Sequence, residues 1–227
     1  MCTVKIALGA LAFAALIPVS AIAQSPGSGA APEKLSGHVA DLSKKALAGD
    51  TKAQLRLGIA FEFGQGVDKN VDEAIHWYRV AANRGDPVAQ TNLGYLYETG
   101  GNGFKDLAEA AKWYLRAAVS GFARAKFNLG VLYLQGTGVE KSDEEAAHWI
   151  GQAAEAGCPR AMAALGYLYA NGKGVPRDPR KASELIQKSA KKDDSNLCAR
   201  ISPEPSDATI AERRWRSQGW NTSGDLW

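Results

Sequence analysis

The chain has 227 residues, 45% of them hydrophobic and 22% charged, with 27 Lys and Arg against 24 Asp and Glu for a formal charge of +3. That length and balance allow a packed core and exclude a chain dominated by disorder or built as a fibre. The small net charge, with six basic and six acidic residues from Lys191 onward, gives no footprint for binding nucleic acid.

The chain opens with an export signature. Lys5 is a short basic region, Ile6 to Ile17 an apolar stretch, and Ala21-Ile22-Ala23 a small-x-small cleavage site before Gln24. This predicts a signal peptide over residues 1–23 and a mature chain of charge +2 in the periplasm or secreted. The apolar stretch is too short to span a bilayer with ease, and Gln24 stands where a lipid anchor would need Cys, so no stable membrane insertion is expected after cleavage. Residues 24–32, QSPGSGAAP, read as a flexible linker. From Glu33 to Ala48, Leu35, Val39, Leu42, Ala46 and Leu47 fall at helical spacing and predict a helix that caps the segment beginning at Gly49.

From Gly49 the sequence repeats itself. Units of 36 residues start at Gly49, Gly85, Gly121 and Gly157, giving repeats over about 49–84, 85–120, 121–156 and 157–193. In the first half of each unit, Ala53, Leu57 and Phe61 correspond to Ala89, Leu93 and Tyr97, to Ala125, Leu129 and Tyr133, and to Ala161, Leu165 and Tyr169, a buried stripe of a first helix. A glycine follows the leucine each time, at Gly58, Gly94, Gly130 and Gly166. Glycine inside a helix costs about 1 kcal/mol relative to alanine, so its recurrence predicts a second helix packed closely there.

Gly64, Gly100, Gly136 and Gly172 suit left-handed C-caps of that first helix. Asn70, Asp106, Ser142 and Asp178 are N-cap residues for a second one, with Glu three positions later in the first three units. The second helix carries Ala74, Trp77, Tyr78, Ala81 and Ala82, then the same pattern at Ala110, Trp113, Tyr114, Ala117 and Ala118, and at Ala146, Trp149, Ile150, Ala153 and Ala154. The last unit substitutes Leu185 for the tryptophan. Small residues beside one bulky ring predict close packing with the ring in the core.

The pattern A-x-x-x-L-G-x-x-Y-x-x-G-x-G-V, followed by A-x-x-W-[YI]-x-x-A-A-x-x-G, resembles the Sel-one-like repeat, a relative of the tetratricopeptide repeat, over Gly49 to about Asp193. The second unit departs from it in the loop, with Asn102 and Gly103 where the first has Gly66 and Val67. The resemblance implies an all-α, right-handed solenoid of four stacked helix-turn-helix repeats that serves as a protein-binding scaffold, commonly in bacterial envelopes.

If the first helices line the concave side, as the resemblance implies, the residues off the buried stripe are the binding candidates. Those singled out for a protein or peptide partner are Lys52, Leu55, Ile59, Tyr95, Arg124, Phe127, Val131, Arg160 and Tyr167, an apolar and aromatic middle with a basic rim. The alternative for Leu55, Ile59, Phe127 and Val131 is packing against neighbouring first helices.

No enzymatic constellation stands out. His76 and His148 occupy equivalent positions two units apart and cannot share one metal, so no metal or other cofactor is expected. Proteins of the resembled family have been linked to penicillin binding or β-lactam hydrolysis, which makes a cell-wall enzyme the alternative function. The one Ser-x-x-Lys, Ser189 to Lys192, lacks the motifs that accompany such a nucleophile. A secreted binder of host proteins would use the same face.

Cys158 and Cys198 survive signal removal and could pair in an oxidising compartment. Residues 194–227 read as a capping segment followed by a tail in which Trp215, Trp220 and Trp227 either form a lid on the array or dock into a groove. The sequence as a whole predicts a monomeric, non-catalytic scaffold of the bacterial envelope.

Overall fold

The structure, a computed structural model, describes residues 37–101 and 103–191. The expected signal segment, the linker and the segment 194–227 lie outside the described residues. Among these residues there are nine α-helices and no strand. Helix α1, Gly37–Leu47, precedes four pairs: α2 Thr51–Phe63 with α3 Val71–Asn83, α4 Pro87–Thr99 with α5 Leu107–Val119, α6 Ala123–Gln135 with α7 Asp143–Glu155, and α8 Pro159–Asn171 with α9 Pro179–Ala190. Each helix packs chiefly on the helices before and after it in the chain, most extensively within a pair. This is an α-solenoid, in which each unit is held by its neighbours.

Local chemistry sets the element ends. Asn70, Asp106, Ser142 and Asp178 accept first-turn backbone N–H groups at the start of α3, α5, α7 and α9. Gly64, Gly100, Gly136 and Gly172 close α2, α4, α6 and α8 in the left-handed region that suits glycine. The first helices have N-caps too, at positions that the repeat pattern does not mark: Asp50 on α2 and Asp86 on α4. At the equivalent position α6 has Phe122 with no side-chain cap, and α8 has Cys158, whose sulfur accepts from the Ala161 N–H at 3.4 Å.

The glycine inside each first helix marks where its partner comes closest. A Cβ on Gly58 would sit 2.6 Å from the Tyr78 ring, on Gly94 2.8 Å from Tyr114, on Gly130 2.6 Å from Ile150 and on Gly166 2.9 Å from Ile186. Behind these contacts the second-helix alanines are fully enclosed, with Ala81, Ala117 and Ala153 all at 0% exposure. Trp77 and Trp113 are buried, while Trp149 is half-buried. In α9 only Ala182 is buried, and Ile186 is 50% exposed. Helices α3, α5 and α7 each have a following first helix on their other side, and among the described residues α9 has none.

Helix α1 packs on α2 through Val39, Leu42 and Ala46, which join Ala53, Leu57 and Trp77 in one cluster, whereas Leu47 is exposed and Leu35 lies outside the described residues. The three buried residues of α1 lie 36 positions before Ile75, Tyr78 and Ala82. Gln54 Nε2 donates to the Ala46 carbonyl at 3.0 Å, as Gln90 Nε2 does to Ala82 at 3.0 Å. The capping helix is therefore the second helix of an incomplete preceding unit, held by the same bond that joins complete units.

Loops also join units. A Cβ on Gly174 would lie 1.9 Å from the Asp143 carbonyl oxygen, and on Gly138 2.1 Å from that of Leu107, so each loop presses on the second helix of the unit before. Where the second unit departs in sequence, Gly101 makes the approach instead, with its Cβ direction 3.3 Å from Val71. None of the described helices is long and apolar enough to cross a membrane.

Candidate protein-binding face

The first helices repeat every 36 residues, so equivalent side chains form rows across the stack. Lys52, Val88, Arg124 and Arg160 make one row at the helix starts. Arg56, Asn92, Asn128 and Ala164 follow one turn on, then Ile59, Tyr95, Val131 and Tyr167. Burial divides the nine candidates. Lys52 and Arg160 are exposed, Tyr167 is 50% exposed, and Leu55, Tyr95 and Val131 are half-buried. Ile59, Arg124 and Phe127 are buried. Ile59 belongs to a core cluster shared by α2 to α5, with Leu55 and Tyr95 against it. Phe127 belongs to the cluster of α6 to α8, and Val131 packs there as well. Apolar members of the face thus serve the core along α2, α4 and α6, and the face opens outward at α8.

The exposed part carries cations over rings. The Arg160 guanidinium lies 5.1 Å from the Phe127 ring centroid, and the Lys173 ammonium 5.4 Å from that of Tyr167.

Toward the C-terminal ends of α2 and α4 the face is polar and closed. The Tyr78 hydroxyl donates to Glu62 Oε2 at 2.7 Å, and the Tyr114 hydroxyl to Glu98 Oε2 at 2.6 Å. Burial pushes both phenol pKa values well above the ordinary tyrosine range; for Tyr114 the charge and hydrogen bond of Glu98 push further in the same direction. Arg124, 5% exposed, has its pKa lowered first by burial; Tyr114, Arg160, Tyr95 and Tyr78 are the charged and polar groups that act on it.

Several contributors are not among the residues that the repeat pattern singles out. The Tyr–Glu pairs carry a signal in hindsight: Tyr78 with Glu62 and Tyr114 with Glu98 give way together to Ile150 with Leu134 and Ile186 with Ala170. A donor and its buried acceptor vanish as a pair, because either alone would be costly. Asn92 is 1% exposed and sits by the Tyr78 hydroxyl, where its amide opposes the larger upward effect of burial on that phenol.

The other groups singled out by sequence are dispersed. His76 and His148 are exposed, each edge-on to the neighbouring Trp77 or Trp149 with ring centroids 5.2 Å apart. Among the described residues no group of three or more His, Cys, Asp or Glu could hold a metal ion. The Ser189 hydroxyl donates to the Pro159 carbonyl at 2.9 Å, tying α9 to α8, and Lys192 lies outside the described residues. Cys158 is buried and disulfide-bonded, while Cys198, the partner the sequence suggests, lies outside the described residues, as do Trp215, Trp220 and Trp227.

Stacked helix pairs, joined unit to unit and presenting a first-helix face, define an α-helical repeat protein. The chain belongs to the Sel1 repeat family, whose model matches residues 51–86, 87–121, 123–158 and 159–194. A protective antigen present in uropathogenic Escherichia coli strains, displaying an SLR fold, is 32% identical with a TM-score of 0.65, over 80% of this chain and 41% of its own. A Sel1 repeat protein from Oxalobacter formigenes is 34% identical with a TM-score of 0.62, over 81% of this chain and 79% of its own. The chain therefore spans about two fifths of the first relative and most of the second. No curated protein matches the chain.

Proposed function

We infer that this chain works through protein–protein interaction, as Sel1 repeat proteins generally do. We propose that this chain is an exported, non-catalytic scaffold of the bacterial envelope that binds a protein or peptide partner on its first-helix face. The observation that carries the reading is the open end of that face at α8. Arg160 lies over the Phe127 ring, and the 50% exposed Tyr167 follows two turns along α8, while the equivalent Ile59 and the neighbouring Phe127 are committed to the core. A large ring and a cation on a fixed surface are the residue types that dominate binding energy in interfaces. Export rests on the signal-like segment over residues 1–23.

A photo-crosslinking amino acid placed at Tyr167, with a second variant carrying it at Val119, tests the site. Val119 is 73% exposed on second helix α5, away from the first-helix face. Each variant is expressed in a bacterial host that carries its partner, and the crosslinked species is resolved by mass. Adducts from Tyr167 and none from Val119 are expected. The reverse pattern would move the binding surface to the outer helices.

A further inference from the structure

Helix α9 presents to solvent the face that the other second helices bury. Ser183, Ile186 and Ala190 are exposed, whereas their equivalents one unit earlier, Ala147, Ile150 and Ala154, are all buried. In α7 that face is covered by α8, through Ala161 and Leu165. The same face of α9 is therefore shaped to receive one more first helix.

The chain continues in the register of such a helix. Asp194 falls where Asp50 and Asp86 cap α2 and α4. Leu197 falls at the position of Ala161 and Ile201 at that of Leu165, the two residues that α8 lays on α7. Pro203 then ends the pattern, because a further turn would need its missing N–H. One position departs. Asp193 stands where Gly49, Gly85, Gly121 and Gly157 turn the chain with φ between 89° and 94°. Aspartate enters the left-handed region at a cost that glycine does not bear, so this helix needs a hold that the others do without.

A disulfide supplies that hold. Cys158 is buried and disulfide-bonded, and the sequence has only two other cysteines, Cys2 and Cys198. Register selects Cys198. It occupies the position of Gln54 and Gln90, whose Nε2 atoms donate at 3.0 Å to Ala46 and Ala82, at the end of the preceding second helix. The equivalent of those two alanines is Ala190. Its neighbour Ser189 donates to the Pro159 carbonyl at 2.9 Å, which sets the end of α9 against the residue next to Cys158. One unit earlier the same closeness is seen: Met162, at the position of Cys198, shares a core cluster with Ala123, which adjoins the equivalent of Cys158.

We propose that the α9 face is the seat of residues 194–202 of the same chain, docked as a fifth first helix through Leu197 and Ile201 and fastened by a Cys158–Cys198 disulfide. The bridge forms by exchange with a disulfide oxidant. The more accessible Cys198 thiolate attacks the oxidant's disulfide, and the Cys158 thiolate then attacks the Cys198 sulfur, releasing the oxidant as its thiols with both electrons and both protons. The docked helix ends before Pro203, the position equivalent to Tyr167, and so leaves that ring open. It concerns the end of the stack and stands apart from the partner-binding face, so either can fail without the other.

The full chain, equilibrated with oxidised and reduced glutathione and digested without further reduction, tests the bridge. Mass spectrometry is expected to find Cys158 joined to Cys198 in a monomer. Cys158 joined to Cys2 or to a second copy, or left as a free thiol, would overturn it. Hydrogen exchange tests the seat. Amides of α9 should exchange roughly tenfold or more faster in Cys198→Ser than in the oxidised chain. The double variant Leu197→Asp, Ile201→Asp should speed the same amides with the bridge still closed, while α3 and α5 exchange as in the parent and show that the array has folded. A closed bridge with α9 indifferent to the two aspartates would overturn the docked helix and leave the disulfide as a tether.

Discussion

Changing Tyr78 to Phe removes one oxygen and leaves the ring against Gly58, so it isolates the hydroxyl's bond to Glu62. That carboxylate is 5% exposed and the bond is 2.7 Å long. Taking a donor from a buried charged acceptor should cost about 1.5 to 3 kcal/mol. At the equivalent pair Glu98 is only half-buried, so water can replace the donor, and Tyr114→Phe should cost about 0.5 to 1.5 kcal/mol. The double variant Tyr78→Phe with Glu62→Leu puts leucine where the third unit has Leu134, opposite Ile150. Its loss should fall short of the sum of the two single variants, with a coupling of about 1 to 3 kcal/mol. Urea unfolding followed by far-ultraviolet circular dichroism measures each midpoint, and an unchanged m-value licenses the comparison. A Tyr78→Phe variant within about 0.5 kcal/mol of the parent, or a double variant that is simply additive, would refute the claim that the pair is a coupled buried unit.

The glycines and the phenols give further outcomes. Gly94→Ala should destabilise by about 1 to 3 kcal/mol, because its Cβ meets the Tyr114 ring at 2.8 Å, whereas Gly151→Ala, facing open space on helix α7, should stabilise by up to about 1 kcal/mol; thermal melts of the two variants should move in opposite directions. Gly174→Ala combines a φ of +65° with a Cβ 1.9 Å from a backbone oxygen. It should therefore cost more than Gly172→Ala, whose φ is the same but whose nearest neighbour is the Arg177 side chain at 3.3 Å; hydrogen exchange in α7 and α9 would show where the junction opens. Alkaline pH should unfold the array. Both buried tyrosines have pKa values raised above the ordinary 10.0, so above that pH the unfolded chain releases the protons first and stability falls as pH rises. Tyrosinate absorbance of the buried pair should appear together with loss of helix, and the Tyr78→Phe, Tyr114→Phe double variant should show a shallower dependence.

The 36-residue period was legible because each unit solves the same local problem with the same residues. Asn70, Asp106, Ser142 and Asp178 start a helix by supplying an acceptor to first-turn N–H groups, and that requirement is written within a few residues of sequence. Gly58 and its equivalents announced a close helix approach, because a helix keeps a glycine at that cost only when a side chain would clash. The equivalence of α1 to a second helix was also within reach, since Val39, Leu42 and Ala46 lie one period before Ile75, Tyr78 and Ala82.

Which face residues serve the core and which meet solvent was decided only by the stack. Ile59, Phe127 and Tyr167 are all apolar or aromatic side chains on the outer rows of the first helices, yet the first two are closed in and the last is half exposed. Periodicity fixes the direction in which a side chain leaves its helix, because that depends on 3.6 residues per turn and nothing else. Burial depends on how far the neighbouring helix stands in that direction, which is a sum over contacts from units 36 residues away. The same holds for Arg124 and Asn92. Sequence alone placed both on first helices, and only the packing of the stack closed them in, at 5% and 1% exposure.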